Sequence, residues 1–387
     1  MTIRGAAYVA GIYEHPRREI PDRTIFEIHT EVALGALADA GLTMADVDAV
    51  FCDSTTGMGA FSLVTHWGLR PKYFDNTETG GSSYLAHVGH AAAAIAAGKC
   101  SVALVTLAGK PRSGAGVERM SFMPGPESGF ESGWGVSGAP HSYALAAQRH
   151  MHEFGTTAEQ LAEIKVAASI HAQHNPNALL PYAVTIEDVI NSPMVADPLH
   201  RLDCCVVTDG GGALVIVSPE IARSLGRTNA KILGHGEAIK HTDNGRIDLT
   251  YTGAVWSGPR AFAEAGVSVK DIDYASIYDS FTITVLQTIE DLGFCEKGKG
   301  GAFVSDGALV APHGILPFNT DGGGLCNNHP SNRGGMTKVI EAVRQLRGEA
   351  HPAVQVPDCQ VALAHGTGGS LGSRHGSVTV ILGQENA

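Results

Sequence analysis

The chain has 387 residues, 44% hydrophobic and 17% charged, enough apolar material for one large core or two medium ones and too much for a disordered segment. Its 27 Lys and Arg against 39 Asp and Glu leave a net charge of −12, which argues against a nucleic-acid partner because no broad basic face is there to neutralise phosphates. No stretch approaches the roughly 18 apolar residues of a membrane span and the N-terminus lacks the pattern of a secretory signal, so the expectation is a cytoplasmic protein without a membrane partner.

In chain order, residues 6–13 read as an opening strand. Ile25 to Leu37 places apolar residues at helical spacing, with Asp22 or Thr24 able to cap its start and Gly41 where a left-handed C-terminal cap belongs. Val47 to Cys52 follows as a buried strand. Gly80 to Ala97 is almost wholly small or apolar, so the helix it predicts has no broad polar face and must be enclosed by protein. Ser101 to Leu107 is another buried strand, completing a parallel βαβ pattern. From about 110 to 200 the pattern changes to an inserted cap, with Gly, Pro, Ser and Met clustered at Met123 to Ser137 and a helix over Ala158 to His174. Caps over an α/β core are where selectivity usually resides, because loops accept variation that a sheet does not.

Cys204 and Cys205 read as small buried hydrophobes in an apolar strand run, and the odd total of seven cysteines without framework spacing fits reduced thiols. Gly212 to Ser218 closes a first half, residues 1–230, and Lys231 to Gly236 opens a second, residues 231–387. The second half continues with a helix at Gly258 to Ala265, a strand at Tyr274 to Tyr278, a helix at Thr284 to Leu292 and strands at Val361 to Ala364 and Ser377 to Leu382. Between those last strands, Gly366 to Gly369 predicts a flexible turn able to present backbone N–H groups to a ligand.

The halves repeat one unit. Ala36-Leu37-Ala38-Asp39-Ala40-Gly41 through Asp46-Val47-Asp48 returns as Ala261-Phe262-Ala263-Glu264-Ala265-Gly266 through Asp271-Ile272-Asp273, and each copy ends in an apolar run closed by Asp-Ser, at Asp53-Ser54 and Asp279-Ser280. A second echo pairs Asn76-Thr77-Glu78 and Gly80-Gly81 with Asn319-Thr320-Asp321 and Gly323-Gly324, each set before a small-residue helix. Two matches in one order make a duplicated α/β fold the natural explanation. His87 and His90 share a helical face, yet no carboxylate or third histidine lies close in sequence, so they read as packing or substrate-side polar groups and no metal is expected. Gly210 to Gly212 lacks the Lys and Ser/Thr of a phosphate loop.

Several strings in order along the chain resemble the thiolase superfamily, and within it the sterol-carrier-protein thiolase-like branch: Asn175-Pro176-Asn177-Ala178, Ser192-Pro193, Pro198-Leu199, Asp203-Cys204-Cys205, Asp209 to Ala213, Tyr278-Asp279-Ser280-Phe281, Asn319 to Pro330 and Gln345-Leu346-Arg347-Gly348. The resemblance implies a five-layered αβαβα thiolase fold, a homodimer, and a coenzyme A thioester bound where the N-termini of two central helices meet, their unpaired N–H groups favouring negative charge. Coenzyme A enters as part of the substrate, with no separate cofactor.

At the position where thiolases carry their nucleophilic cysteine, alignment of the first central helix places Gly81, followed by Ser82 and Ser83. The family's His or Asn beside the thioester oxygen is Tyr278, the second catalytic cysteine of many thiolases falls near Gly366, and His329 is kept. The pattern resembles thiolase-like aldolases that shorten steroid side chains, which cleave a 3-hydroxyacyl-CoA by a retro-aldol route and work with a zinc-binding, OB-fold partner. That chemistry needs a base for the β-hydroxyl, a cradle for the enolate and an acid for the released carbon. Tyr278, with neighbouring donors lowering its pKa, is the expected base, His329 the donor to the enolate oxygen or the group that returns the proton, Asp279 a residue that orients the backbone or Tyr278, and Gly81, Gly368 and Gly369 the backbone cradle. Two alternatives stand beside it: an acyltransferase using Cys326 or Ser82 as an unusual nucleophile, and a non-catalytic subunit that binds CoA esters.

Overall fold

The computed structural model describes residues 2–54, 56–114, 128–136, 138–330 and 334–385. In chain order the first half gives β1 (Tyr8–Glu14), α1 (Ile25–Ala40), β2 (Ala49–Phe51), α2 (Ala60–Trp67), β3 (Tyr73–Asp75), α3 (Ser83–Ala96) and β4 (Val102–Gly109). The cap follows as α4 (Ser128–Gly133), α5 (Ala139–Phe154), α6 (Ala158–Ala172), α7 (Ile186–Ile190) and the small hairpin β5 (Met194–Ala196) and β6 (Leu199–His200). Then come β7 (Gly210–Val217) and α8 (Pro219–Ser224). The second half holds β8 (Ala230–Lys240), α9 (Ala254–Ala265), β9 (Tyr274–Ile277), α10 (Thr282–Asp291), α11 (Gly300–Val304), α12 (Gly323–Cys326), α13 (Gly335–Arg347), β10 (Val361–Gly369) and β11 (His375–Gly383).

The strands of the two halves run in one plan. In the first the order is β3-β2-β4-β7-β1, with β2 parallel to both neighbours and β7 antiparallel to β4 and β1. In the second it is β9-β10-β11-β8, with β9 parallel to β10 and β11 antiparallel to both neighbours, while Phe318 bridges Ala275 of β9 in the parallel sense, where β3 would lie. β1 and β8 join the halves antiparallel, with Tyr8 opposite Lys231 and Val9 opposite Ala230.

Three apolar clusters separate the layers. One packs α1 on the outer face of the first-half strands, through Val32, Ala36 and Leu37 against Val50, Leu104 and Val215. A second lies between the two sets of strands and joins α3 to α13, through Leu85, Val88 and Ala92 with Met336, Val339 and Val343. The third covers the outer face of the second half with α9 and α10 and also takes in α5 and α6 of the cap. These are the five αβαβα layers.

The α1 start is set by Thr24, whose side chain accepts from Glu27 N–H while Glu27 reaches back to the Thr24 N–H, a capping box worth about 1 kcal/mol. Asp22 instead pairs with Arg17 and Arg23. Gly41 ends the helix at φ 72°. The central helices touch at their first turns, where a Cβ on Gly335 would lie 1.9 Å from the Gly81 oxygen. Only glycine allows that approach.

Three expectations change. Gly366 to Gly369 is not a turn but the end of β10, paired through to Gly369 opposite His375. Its glycines serve close packing, since a Cβ on Gly368 would meet Thr79 O at 1.7 Å and one on Gly366 the Ser82 Cα at 3.1 Å. Cys204 and Cys205 lie outside any strand, in the segment between a 3-10 turn at Arg201–Asp203 and β7, with Cys204 N–H bonded to Arg201 O and Cys205 N–H to Ser280 O. The second central helix opens at Gly334-Gly335, not after Gly323-Gly324, because α12 between them is a single short turn. The Met123 to Ser137 cluster lies partly outside the described residues, at 123–127 and 137.

Candidate active site

Tyr278 leaves the end of β9 with its N–H on His365 O of β10 at 2.9 Å, which fixes where its ring emerges. The hydroxyl meets His329 Nε2 at 2.8 Å, with the two rings edge to face at 5.5 Å. Both side chains are buried, at 3% and 5% exposure. They sit where the central helices begin: a Cβ on Gly334 would be 3.1 Å from His329 Cδ2 and 3.3 Å from Tyr278 Cε2.

Gly81 has a steric role here. A Cβ at this position would lie 2.4 Å from Tyr278 Cε2, 2.5 Å from its Cζ and 2.5 Å from Thr367 O. The phenol therefore occupies the space that a side chain at residue 81, just ahead of α3, would need. Gly80 in turn packs on Gly368, at 3.1 Å from a built Cβ to Gly368 Cα, and 3.4 Å from Gly369 N. The structure thus brings Gly81, Gly368, Gly369, Tyr278 and His329 together.

The electrostatics reverse one expectation. The Tyr278 pKa is not lowered: burial, reinforced by Cys205, Tyr143 and Asp279, pushes it well above the ordinary tyrosine value. Burial also pulls His329 down to about 4, with Lys338 adding to that and Asp279 opposing it. The resting pair is therefore a phenol beside a neutral imidazole, so the O–H can donate to an unprotonated Nε2. Such a pair relays a proton more readily than it supplies a ready-made tyrosinate.

Asp279 touches neither ring by hydrogen bond among the described contacts. Its Oδ1 accepts from Gly324 N–H at 2.8 Å and Lys338 Nζ at 2.8 Å, and its Oδ2 from Leu325 N–H at 3.1 Å. It holds α12, the turn that leads into His329. The next residues are anchored too: Asn327 binds Arg18, Glu14 and Asp321, and Asn328 binds Glu14 and Thr208. Thr208 Oγ1 also accepts the His329 N–H at 3.0 Å.

Neither alternative nucleophile faces this pair. Cys326 is fully buried with its sulfur 3.1 Å from Lys165 Nζ, and burial raises its pKa although Lys165 opposes. Ser82 Oγ donates to Thr79 O at 2.9 Å on the side of Gly376, lining a separate cavity of about 320 Å³ with Glu237 and Arg260. Among the described contacts its hydroxyl bonds only to Thr79, with no base as a hydrogen-bond partner, which is not the arrangement of an activated nucleophile. Cys205, half-buried near Tyr143 and Tyr278, also has its pKa raised by burial.

Lys338, Lys165 and Tyr143 escaped the sequence reading. Tyr143 of α5 packs its ring against Phe281, tilted by 34° with centroids 4.5 Å apart, and donates to Gly369 O, so the cap reaches the site. His90 bridges Asp75 and Glu237 at 2.6 and 2.8 Å, while His87 packs between the rings of Phe51 and Tyr84. No residue pattern close in sequence announced any of these contacts.

Residues 236–384 match the family model described as thiolase C-terminal domain-like. An acetyl-CoA acetyltransferase of Methanothermobacter thermautotrophicus is 34% identical over 94% of this chain and 97% of its own. A steroid side-chain-cleaving aldolase of Thermomonospora curvata is 34% identical over 89% of this chain and 91% of its own. The solved Ltp2-ChsH2(DUF35) aldolase superposes with a TM-score of 0.88 at 32% identity, covering 99% of each chain. With this likeness along nearly its whole length and the duplicated five-layered fold, the chain belongs to the thiolase superfamily.

Proposed function

We propose that the chain is a carbon–carbon lyase that cleaves a 3-hydroxyacyl-CoA by a retro-aldol route, releasing a ketone or aldehyde and a shorter acyl-CoA. The observation that carries this reading is the Tyr278 ring in the space beside Gly81, where an acyl-accepting side chain has no room. The β-hydroxyl proton passes to the Tyr278 oxygen as the Tyr278 proton passes to neutral His329, paired at 2.8 Å. The bond between the α and β carbons breaks, its electrons form the enolate of the thioester, and the proton held by the pair returns to the α carbon. We take the backbone N–H groups of Gly81, Gly368 and Gly369 as the cradle of the enolate oxygen, beside the central-helix N-termini whose dipoles favour negative charge.

The name of the Thermomonospora relative supports a bulky steroid or similar acyl group, and the solved aldolase's name supports a DUF35-type partner chain, which we take to be an OB-fold, zinc-binding subunit. A homodimer fits the outer edge of β3, where Phe74 is 62% exposed beside Met58 and Phe61 at 67% and 60%, an edge and apolar surface suited to a second copy. All seven cysteines are free and no helix among the described residues is long and apolar enough to cross a membrane, which fits a cytoplasmic home.

The test gives the purified protein, with and without its partner, a 3-hydroxyacyl-CoA and separately a 3-oxoacyl-CoA plus free CoA. Cleavage of the first without consumption of CoA is expected. CoA-dependent cleavage of the second alone would identify an acyltransferase, and tight binding without turnover of either would identify a scaffold.

A further inference from the structure

We propose that Lys338 is the positioning residue of the Tyr278–His329 pair, acting through Asp279; the inference rests on the catalytic reading above. Lys338 lies on α13 with its side chain 1% exposed, and its ammonium is 2.8 Å from Asp279 Oδ1, whose own side chain is 0% exposed. Among the described residues it is the salt-bridge partner of Asp279. Breaking a pair this deep in the protein by removing one partner would leave the other buried without its counter-charge.

Asp279 connects both reacting groups. It follows Tyr278 directly in the chain, and its two oxygens take the N–H groups of Gly324 and Leu325 in the turn that delivers His329. The turn is pressed against it: a Cβ on Gly323 would lie 2.1 Å from Asp279 Oδ2, and one on Gly324 would lie 3.1 Å from Oδ1 and 3.2 Å from His329 Cδ2. One cation on the central helix therefore sets the distance between two side chains that are 51 positions apart in sequence.

The opposite end of the turn is held from the cap, where Lys165 donates to Leu325 O at 2.7 Å. That contact fixes the turn's exit but not Tyr278. The Lys338–Asp279 ion pair joins the residue next to Tyr278 to the turn that delivers His329. Lys338 is held in its charged form, because the carboxylates of Asp279, Asp321 and Glu341 outweigh the opposing effect of burial.

The experiment removes both members of the ion pair together with the double substitution Lys338→Met and Asp279→Asn, so that neither is left as the buried half of a broken pair. Turnover of a 3-hydroxyacyl-CoA is expected to fall about 100-fold, the usual cost of roughly 1 Å of misplacement, while KM changes less than about threefold. A crystal structure of the variant is expected to show the Tyr278 hydroxyl and His329 Nε2 no longer in hydrogen-bond contact. Lys338→Gln, which withdraws the ammonium from Asp279 behind a shorter neutral side chain, is read by the same two measurements and is the recourse if the double variant does not fold. A folded variant with unchanged turnover and an intact Tyr278–His329 contact would overturn the proposal. Wild-type protein runs alongside: if it fails to cleave the 3-hydroxyacyl-CoA, the retro-aldol reading falls, and the crystallographic contact still decides the role of Lys338.

Discussion

The two halves share a plan but enter their central helices differently. In the first half β3 ends at Asp75 and the short loop through Thr79, Gly80 and Gly81 leads straight into α3, offering backbone and little else. In the second, the chain after Phe318 makes a longer excursion through α12 and Asn327, Asn328 and His329 before α13 begins at Gly335. The contrast teaches that the repeated strands and helices build the cleft, while the extra residues of one copy furnish it with side chains. Room was made for them on the other side: the bare Gly81 lets the Tyr278 ring lie against the start of α3.

The largest test of this contrast is Tyr278→Phe. It removes the relay oxygen and leaves the ring in place, so turnover is expected to fall by about 10²- to 10⁴-fold with an unchanged melting temperature. A fully active variant would return the chemistry to some other residue.

Gly81→Ala is the next step down. Its Cβ would sit 2.4 Å from Tyr278 Cε2, so the ring must move, and a loss of about 100-fold in turnover is expected together with about 1–3 kcal/mol of stability. Measured stability unchanged and activity intact would show that the ring does not need that space.

Titration is a gentler test and its acid limb is shared, since burial also lowers His87 of α3 and His171 of α6 to about 4. In the second half, burial lowers His329 to about 4 and His365 and His375 to about 3, so the unfolded chain binds more protons than the native one below the ordinary value of about 6.5. Stability is expected to fall as pH drops from about 6.5 toward 4. In the first half His90, raised to about 10 chiefly by its hydrogen bonds to Asp75 and Glu237, contributes stability that is complete below about 6.5 and lost as pH rises through 10. Thermal melts across this range check both limbs, and His90→Gln should flatten the alkaline one. A melting temperature constant from pH 6.5 to 4.5 would contradict the acid limb.

The smallest effect belongs to the scaffold. Thr24→Ala removes the capping box of α1 and is expected to lower stability by about 1 kcal/mol in a denaturant titration, with turnover unaffected.

Much of this was legible in the chain. The Gly41 and Gly266 stops, the small-residue run of α3 and the duplicated strings gave the plan, because caps and apolar period are local signals. The α13 helix was harder: Lys338, Glu341 and Gln345 suggest an exposed face, yet all three are buried because Asp279 and Thr320, from other segments, supply their partners. The same reason hid the sign of the Tyr278 shift, since burial by α3, Gly334 and the cap is a property of packing. The glycines of β10 misled for a related cause: a requirement for close approach to Thr79 and Ser82 looks, in sequence, like a flexible turn.

The most direct measurement is the intact mass of the enzyme quenched during turnover of a 3-hydroxyacyl-CoA. If the first half contributes no nucleophile and the Tyr278–His329 pair carries the reaction, the protein retains its unmodified mass while product accumulates. An acyl adduct that forms and decays at the rate of turnover, on Cys326, Ser82 or any other residue, would contradict the account.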